Sequence, residues 1–152
     1  MSQAPLFGSC FEDTEVGRTW RGPGRTITET DVTLFAMFTG DWYPLHVDKE
    51  YAAGSWAGER IAHGALTLSI MSGALPLAPG DLEAFLAIES CRFVACVRIG
   101  DTIRSDFEVV DCSRRDGSDN GRVGVAVTVR NQRDEVVMEA NLLVAQRARS
   151  TR

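Results

Sequence analysis

The second half of the chain alternates between apolar and polar residues with a period of two, which is typical of β-strands that bury one face. In the clearest run, 123–129, every second residue is valine. Turns such as Gly100–Asp101 separate the runs, and strands joined by short turns favour an antiparallel sheet whose buried face needs a cover. The alternating positions are Phe93, Ala95 and Val97; Ile103, Ser105, Phe107 and Val109; Val123, Val125, Val127 and Val129; and Val136, Met138, Ala140, Leu142 and Val144.

The first half of the chain contains a helical pattern instead. Apolar residues at helical spacing predict a helix over 28–39, with Thr28 as its N-cap and Asp31 three residues later as a capping-box partner. Gly40 fits the position that ends such a helix. We expect a short second helix over 48–53.

A third helix, predicted over 65–75, is apolar on nearly every side and contains no charged residue. Gly64 marks its start and Pro76 its end. A helix that is apolar all round is expected to be buried all round, so it is the obvious cover for the sheet. Its small polar residues must then find hydrogen-bond partners inside the protein; they are Thr67, Ser69 and Ser72.

Together these elements predict an α+β fold, an antiparallel sheet wrapped around one central helix. The length of 152 residues suits a single domain over 1–152, with a core over about 11–145. Two stretches rich in glycine and polar residues, 20–25 and 113–122, are predicted to be loops.

Composition and charge then exclude several function classes. The net charge is −5, the chain has no basic block and its only lysine is Lys49, so a nucleic-acid partner is not expected. No apolar run approaches the roughly 20 residues of a membrane span, and we expect no membrane partner. The first 13 residues lack a charged segment followed by an apolar one, so we expect no secretory signal.

Cysteine and histidine usage does not indicate a structural metal site. The four cysteines form no C-x-x-C pair, and a zinc site needs ligands at short loop spacings. Free thiols without a secretory signal fit a reducing compartment, so we expect a cytoplasmic protein. The residues concerned are Cys10, Cys91, Cys96, Cys112, His46 and His63.

Candidate chemistry lies between the first and third helices. Asp41 and His46 are five residues apart. On a helix this spacing would turn their side chains about 140° apart, and on a strand it would place them on opposite faces. Only an irregular loop brings them together. Gly40 and Pro44 are residue types that build such a loop. A carboxylate beside an imidazole suits general acid–base catalysis near neutral pH. The alternative is that Asp41 caps a turn and His46 is structural.

A second candidate segment precedes the third helix. Gly64 lets a ligand approach the helix start, where free N–H groups can stabilise an oxyanion; alternatively, Gly64 is a packing residue. His63 either ties down the loop or lines a pocket. Ser72 lies about two turns further along the helix and by itself suggests only a bond to a backbone carbonyl.

Together these segments closely resemble the MaoC-like dehydratase family, which includes the (R)-specific enoyl-CoA hydratases and has the hot-dog fold. The hydratase motif reads approximately aromatic-x-x-Gly-Asp-x-Asn-Pro-Leu/Ile-His, and residues 40–46 follow it with Tyr43 in place of asparagine. The segment Ile61–Gly64 resembles the family's stretch ahead of the central helix. Softer matches near residues 11–17 and 92–102 extend the resemblance to about residues 11–145.

The resemblance implies that Asp41 and His46 are the catalytic pair, which holds the water that adds to a trans-2-enoyl thioester. It also implies a backbone N–H donor to the thioester carbonyl at Gly64 and a supporting hydroxyl at Ser72. With Tyr43 and His63, these two are the expected substrate-binding residues. Tyr43 is bulkier than asparagine, so one interpretation is that it changes the shape of the acyl pocket. The alternative is that it packs against Trp42 or a dimer partner.

The implied partner is an acyl-CoA or acyl-carrier-protein thioester, and the implied assembly is a homodimer or a higher homo-oligomer. The implied reaction, hydration or the reverse dehydration, requires no metal or other cofactor. We expect an arginine to bind the CoA diphosphate, and the sequence does not rank Arg60, Arg92 and Arg98. The alternatives are a non-catalytic subunit that binds acyl thioesters and a hot-dog acyl-CoA thioesterase, although the central helix offers no acidic residue to activate water for hydrolysis.

Overall fold

The computed structural model describes residues 3–77, 82–114 and 119–149. Within these ranges, six strands and four helices follow a 3₁₀ turn at Phe11–Asp13. Among the residues described, no helix is both long and apolar enough to cross a lipid bilayer. In chain order the elements are β1 (Thr19–Arg21), β2 (Arg25–Thr26), α1 (Glu29–Thr39), α2 (Pro44–Val47), α3 (Lys49–Ala53), α4 (Gly64–Gly73), β3 (Ala84–Phe93), β4 (Thr102–Arg114), β5 (Asn120–Arg130) and β6 (Val136–Arg147).

The strands form an antiparallel sheet in the order β1-β4-β5-β6-β3, and β2 also pairs with β4. Val125 of β5 lies opposite apolar residues on both neighbours: it pairs with Val109 on one side and with Leu142 on the other. Strand β3 pairs with β6 alone and therefore forms one edge of the sheet. The period-two prediction is confirmed for β4, β5 and β6.

The buried face of the sheet packs against α4. Leu66 and Met71 from this helix belong to the same buried cluster as Val125, Val127 and Leu142 from the sheet. The fold is therefore α+β, as the sequence predicts, with the central helix covering the sheet.

The capping prediction for α1 is also confirmed. The Thr28 hydroxyl accepts a hydrogen bond from the Asp31 N–H at 3.2 Å, and the Asp31 carboxylate accepts one from the Thr28 N–H at 2.8 Å. Gly40 ends the helix with φ = 79°, a left-handed conformation that glycine adopts without strain.

Four expectations need correction. The strand predicted through Val97 ends at Phe93, because the N–H groups of Val94 and Ala95 share the Val137 carbonyl and the chain then leaves the sheet. Helix α4 ends at Gly73, not residue 75. It is also not buried all round: one side is exposed, because no other described element covers it, and the residues on that side are Ala65, Ser69 and Gly73. The two predicted loops are also shorter than expected. Residues 20–21 belong to β1 and residue 25 to β2, while residues 113–114 belong to β4 and 120–122 to β5. Residues 115–118 of the second loop lie outside the described residues.

Candidate active site

The loop that follows α1 brings Asp41 and His46 to the same place. The Asp41 carboxylate accepts a hydrogen bond from the Tyr43 N–H at 3.2 Å, which tightens the turn. Pro44 then begins α2, a single turn of helix that carries His46. The irregular geometry expected from Gly40 and Pro44 is therefore present.

His46 is held in one orientation by the backbone. Its Nδ1–H donates to the Ile61 carbonyl at 2.8 Å, since a carbonyl oxygen can only accept. In the neutral ring this leaves Nε2 as the unprotonated nitrogen, free to accept a proton. The segment before α4 thus fixes the imidazole that α2 carries.

His63 completes the cluster from the other side. It is 2% exposed, and its Nε2–H donates to the Asp41 carbonyl oxygen at 3.0 Å. Its ring lies 3.9 Å from the His46 ring, centroid to centroid, at an interplanar angle of 31°. Burial, and secondarily the nearness of His46, lower the pKa of His63 below its usual value, so the neutral ring is favoured.

One nitrogen of this buried ring has no partner. His63 Nδ1 is shielded from solvent and makes no hydrogen bond with any residue that the structure describes. The sequence left open whether His63 ties down a loop or lines a pocket. The geometry supports the first role, because its one hydrogen bond holds the Asp41 backbone.

Asp41, His46 and His63 each place one potential ligand atom within 4.8 Å of the others. Two imidazoles and a carboxylate are ligand types that transition metals accept. The lone pairs of an imidazole lie in the ring plane, however, and the two rings are stacked with only a modest tilt. The lone pairs therefore lie in two planes 31° apart. One nitrogen of each ring is already hydrogen-bonded to a backbone carbonyl, His46 Nδ1 to Ile61 and His63 Nε2 to Asp41.

A cavity of about 440 Å³ opens beside His46. Gly64, at the start of α4, forms part of its wall, and a Cβ atom there would lie 2.9 Å from the Phe93 ring. In the described parts of the chain, the N–H groups of Gly64 and Ala65 have no backbone partner, and the His63 side chain does not cap the helix. The cavity is lined by His46, Trp56, Ile61, Ala62, Gly64, Thr67, Phe93, Val94, Ala95, Cys96, Val97 and Val137.

Two other predicted site residues lie elsewhere. Ser72 does not line this cavity, and its hydroxyl donates to the Leu68 carbonyl at 3.1 Å. Tyr43 is exposed; its ring meets the His46 ring edge-on at 6.2 Å, and its hydroxyl lies 3.2 Å from that of Tyr51. That hydrogen bond raises the pKa of Tyr51.

The arginines proposed for CoA binding now differ in their surroundings. Arg60 is paired with Glu29 at 2.8 Å, and its side chain is mostly buried. Arg98 is paired with Glu59 and also donates to the Ala57 carbonyl. Arg92 is exposed on the edge strand β3. The first two already have carboxylate partners that a diphosphate would have to displace.

Sequence reasoning missed three cavity residues: Thr67, Phe93 and Trp56. Phe93 and Trp56 carried no signal as cavity residues, because the chain leaves the sheet after Phe93 only in the folded structure. Thr67 did carry one: it follows Gly64 by three residues, which places both on one face of the helix.

Comparisons with known proteins identify relatives. A family model described as MaoC like domain matches residues 12–131. The 3-hydroxybutyryl-CoA dehydratase of Methylorubrum extorquens is 36% identical over 135 residues, covering 88% of this chain and 82% of that protein. The (R)-specific enoyl-CoA hydratase of Rhodospirillum rubrum is 36% identical over 109 residues, covering 72% of this chain and 75% of that protein. Protein MaoC of Klebsiella aerogenes is 36% identical over 99 residues. The matched part covers 64% of this chain but only 30% of that protein.

Solved structures agree on the fold. A protein from Archaeoglobus described as a monoamine oxidase regulatory protein has a TM-score of 0.88 and 36% identity, covering 99% of both chains. A Mycobacterium tuberculosis protein with a double hotdog fold has a TM-score of 0.84 at 22% identity, covering 98% of this chain and 47% of that one, which shows the fold alone. The predicted α+β hot-dog fold is confirmed.

Proposed function

Because this chain belongs to the MaoC-like domain family, we propose that it hydrates a trans-2-enoyl thioester or, in reverse, dehydrates a 3-hydroxyacyl thioester. The observation that carries this proposal is the meeting of Asp41 and His46, with His46 on the wall of a cavity that Gly64 also lines. Relatives named as a hydratase and a dehydratase of CoA thioesters support the same reaction.

The thioester makes the alkene electrophilic at Cβ. The water oxygen forms a bond to Cβ, and the alkene electron pair moves toward the carbonyl oxygen, which becomes an enolate oxygen. The Gly64 N–H, at the positive end of α4, stabilises that charge. When the enolate collapses, Cα takes up a proton and the 3-hydroxyacyl thioester is complete.

Asp41 and His46 move the proton. We assign to Asp41 the removal of the proton from water, and to His46 the orientation of that water and the delivery of a proton to Cα. The proton that Asp41 takes from water passes to His46 Nε2, which is unprotonated in the neutral ring, and His46 then delivers it to Cα. After these transfers both groups are back in their starting states. Because the two groups are coupled, the acid and base roles belong to the pair and can be exchanged.

This chemistry needs no resident cofactor, since no electron is transferred to an external acceptor and the thioester itself activates the alkene. The backbone hydrogen bonds of His46 Nδ1 and His63 Nε2 support a site without a metal ion, because each occupies one nitrogen of its ring. CoA enters the proposal as part of the substrate. A cavity lined mainly by apolar side chains beside the pair is suited to an acyl chain.

One relative favours a second candidate function. The Archaeoglobus protein with 36% identity is described as regulatory. A regulatory or non-catalytic subunit would bind acyl thioesters through the same cavity without turnover, and would be active only with a second subunit. Tyr43, which replaces the asparagine of the hydratase motif, fits that alternative.

The test uses trans-2-butenoyl-CoA with the purified chain. We expect loss of the conjugated thioester absorbance and formation of 3-hydroxybutyryl-CoA, without release of free thiol. Asp41→Asn and His46→Ala each lower kcat/KM about 10²-fold or more, the usual size of a general acid–base contribution. Asp111→Asn, an exposed carboxylate on β4, is the matched control and leaves the rate unchanged.

Other outcomes identify the alternatives. Binding of butenoyl-CoA without turnover supports the non-catalytic subunit, and thiol release supports a thioesterase. Hydration that survives both active-site substitutions contradicts the assigned pair even though the reaction is correct.

We also propose that the chain forms a homodimer through β3. The outer edge of this strand has no partner strand among the described residues, and unpaired edges are templates for another chain. Exposed apolar side chains, including Phe85, Leu86 and Ile88, lie along the strand. Phe93, at its end, lines the cavity, so a second copy on this edge would lie close to the site.

A further inference from the structure

Thr67 is a buried polar residue that lacks a partner within the protein. It is 2% exposed and lines the cavity together with His46 and Gly64. Its hydroxyl makes no hydrogen bond with any residue described in the structure. On the same helix, Ser69 and Ser72 each donate to the carbonyl four residues earlier, at 2.8 and 3.1 Å.

This difference is informative because the helix offers Thr67 the same kind of partner. Among the described residues, the Thr67 hydroxyl is not one of the side-chain atoms that are shielded from solvent without a partner, so it keeps access to the cavity. A polar group beside a cavity finds its hydrogen-bond partner in water or in a bound molecule. The Thr67 side chain borders the cavity, so its partner can be a bound molecule there.

The position of Thr67 on α4 says which part of that molecule it meets. Gly64 and Thr67 are three residues apart and lie on one face of the helix, and the Cα–Cβ bond of a helical residue tilts toward the N-terminus. The Thr67 side chain therefore leans toward the first turn, where the N–H groups of Gly64 and Ala65 have no backbone partner among the described residues. Hydroxyl and amide donors thus border the same end of the cavity.

We propose that the Thr67 hydroxyl donates a hydrogen bond to the carbonyl oxygen of the bound thioester, alongside the Gly64 N–H. This inference rests on the proposed function and adds a second donor to it. A carbonyl oxygen has two lone pairs and accepts both bonds. As the carbonyl oxygen gains negative charge in the enolate, both bonds strengthen, which makes Thr67 a catalytic residue as well as a binding one.

A purely structural role for Thr67 makes the opposite prediction about stability and activity. If only the side-chain shape matters, valine replaces threonine without loss. If the hydroxyl serves the substrate, Thr67→Val removes a donor from the enolate while relieving a buried polar group. We expect kcat/KM to fall about 10²-fold, mainly through kcat, and Tm to rise by about 2–4 °C.

Two further variants define the cause. Thr67→Ser keeps the hydroxyl and retains kcat/KM within about threefold of wild type. Ser69→Ala removes a hydroxyl that already has a backbone partner on the same helix, and it leaves kcat/KM unchanged. If Thr67→Val fails to fold, the comparison of Thr67→Ala with Thr67→Ser carries the same test.

Binding of butyryl-CoA, which lacks the reactive alkene, separates this inference from the proposed function. We expect calorimetry to show weaker binding to Thr67→Val than to wild type, by less than the loss in kcat. If the wild type hydrates butenoyl-CoA and Thr67→Val hydrates it equally well, the inference is overturned while the proposed function stands. If the wild type binds butyryl-CoA through Thr67 but shows no hydration, the proposed function fails and the carbonyl contact stands. Absence of both binding and hydration overturns both.

Discussion

At the scale of single residues, His63 shows how one side chain organises the site without lining its cavity. It fixes the Asp41 backbone through Nε2 and supports the His46 ring by stacking. The sequence placed Asp41 and His46 together, because Gly40 before the pair and Pro44 between its members predict the loop. It did not predict the stacking, because His63 comes from a distant segment and only the tertiary fold brings it there.

The neutral state of His63 leads to a prediction about stability and pH. Burial lowers the pKa of His63 below 6.5 in the folded protein, so the unfolded chain binds a proton more readily. The contribution of this residue is therefore complete above about pH 6.5, and it is lost as the pH falls through that value toward the lowered pKa. We expect the free energy of unfolding, measured in urea, to decrease from pH 7.5 to pH 5.5 by at most about 1.4 kcal/mol per pH unit.

The control is His63→Phe, which keeps a buried ring and removes the titrating group. This variant should show a weaker pH dependence over the same range. Its difference from wild type isolates His63 from the carboxylates, which titrate mainly at lower pH. Equal slopes for the two proteins would contradict the buried neutral state.

At the scale of secondary structure, local signals predicted most elements and tertiary contacts decided the rest. The capping box of α1 and the alternation of β4, β5 and β6 depend on neighbouring residues, so the sequence revealed them. The end of β3 at Phe93 depends on two N–H groups sharing one carbonyl across the sheet. Which side of α4 is exposed depends on which other elements of the chain pack against the helix. Neither feature has a local sequence signature.

The start of α4 supports a prediction about Gly64. An alanine methyl group there would lie 2.9 Å from the tip of the Phe93 ring, which is half exposed and can move aside. We therefore expect Gly64→Ala to change the free energy of unfolding by less than about 1 kcal/mol. It should nevertheless lower kcat/KM by at least about tenfold, because the methyl group and the displaced ring crowd the N–H that binds the carbonyl.

Gly73, at the other end of the same helix, provides the matched control. A Cβ atom at Gly73 would have no neighbour within 4 Å. Gly73→Ala should raise stability by up to about 1 kcal/mol through the loss of backbone freedom in the unfolded chain, and it should leave the kinetics unchanged. Full activity in Gly64→Ala would show that the substrate does not approach this end of the helix.

At the scale of the whole molecule, the order of the strands in the sheet places the cavity at an exposed sheet edge. Because β3 lies at the edge of the sheet, the chain segment that leaves this strand after Phe93 forms a wall of the cavity at that edge. The family resemblance implied a homodimer, and the structure of one chain adds a free edge and apolar side chains along it. The partner surface could not be predicted from periodicity, because β3 alternates less regularly than its neighbours and two register shifts interrupt it.

The proposed dimer is tested by placing a charge on that edge. Ile88 is 41% exposed on β3, and Ile88→Lys puts an ammonium group where a second copy would pack. We expect the wild type to elute as a dimer in light scattering coupled to size exclusion, and Ile88→Lys to elute as a monomer, because a buried unpaired charge opposes association. Val110→Lys, a comparably exposed position on β4, should remain a dimer because β4 is paired on both sides.

If the Ile88→Lys protein is monomeric and hydrates butenoyl-CoA as fast as wild type, then each cavity is complete within one chain. A large loss of rate in the folded monomer would mean that the second copy completes the wall near Phe93. A wild type that elutes as a monomer, or an Ile88→Lys protein that still dimerises, contradicts association through this strand.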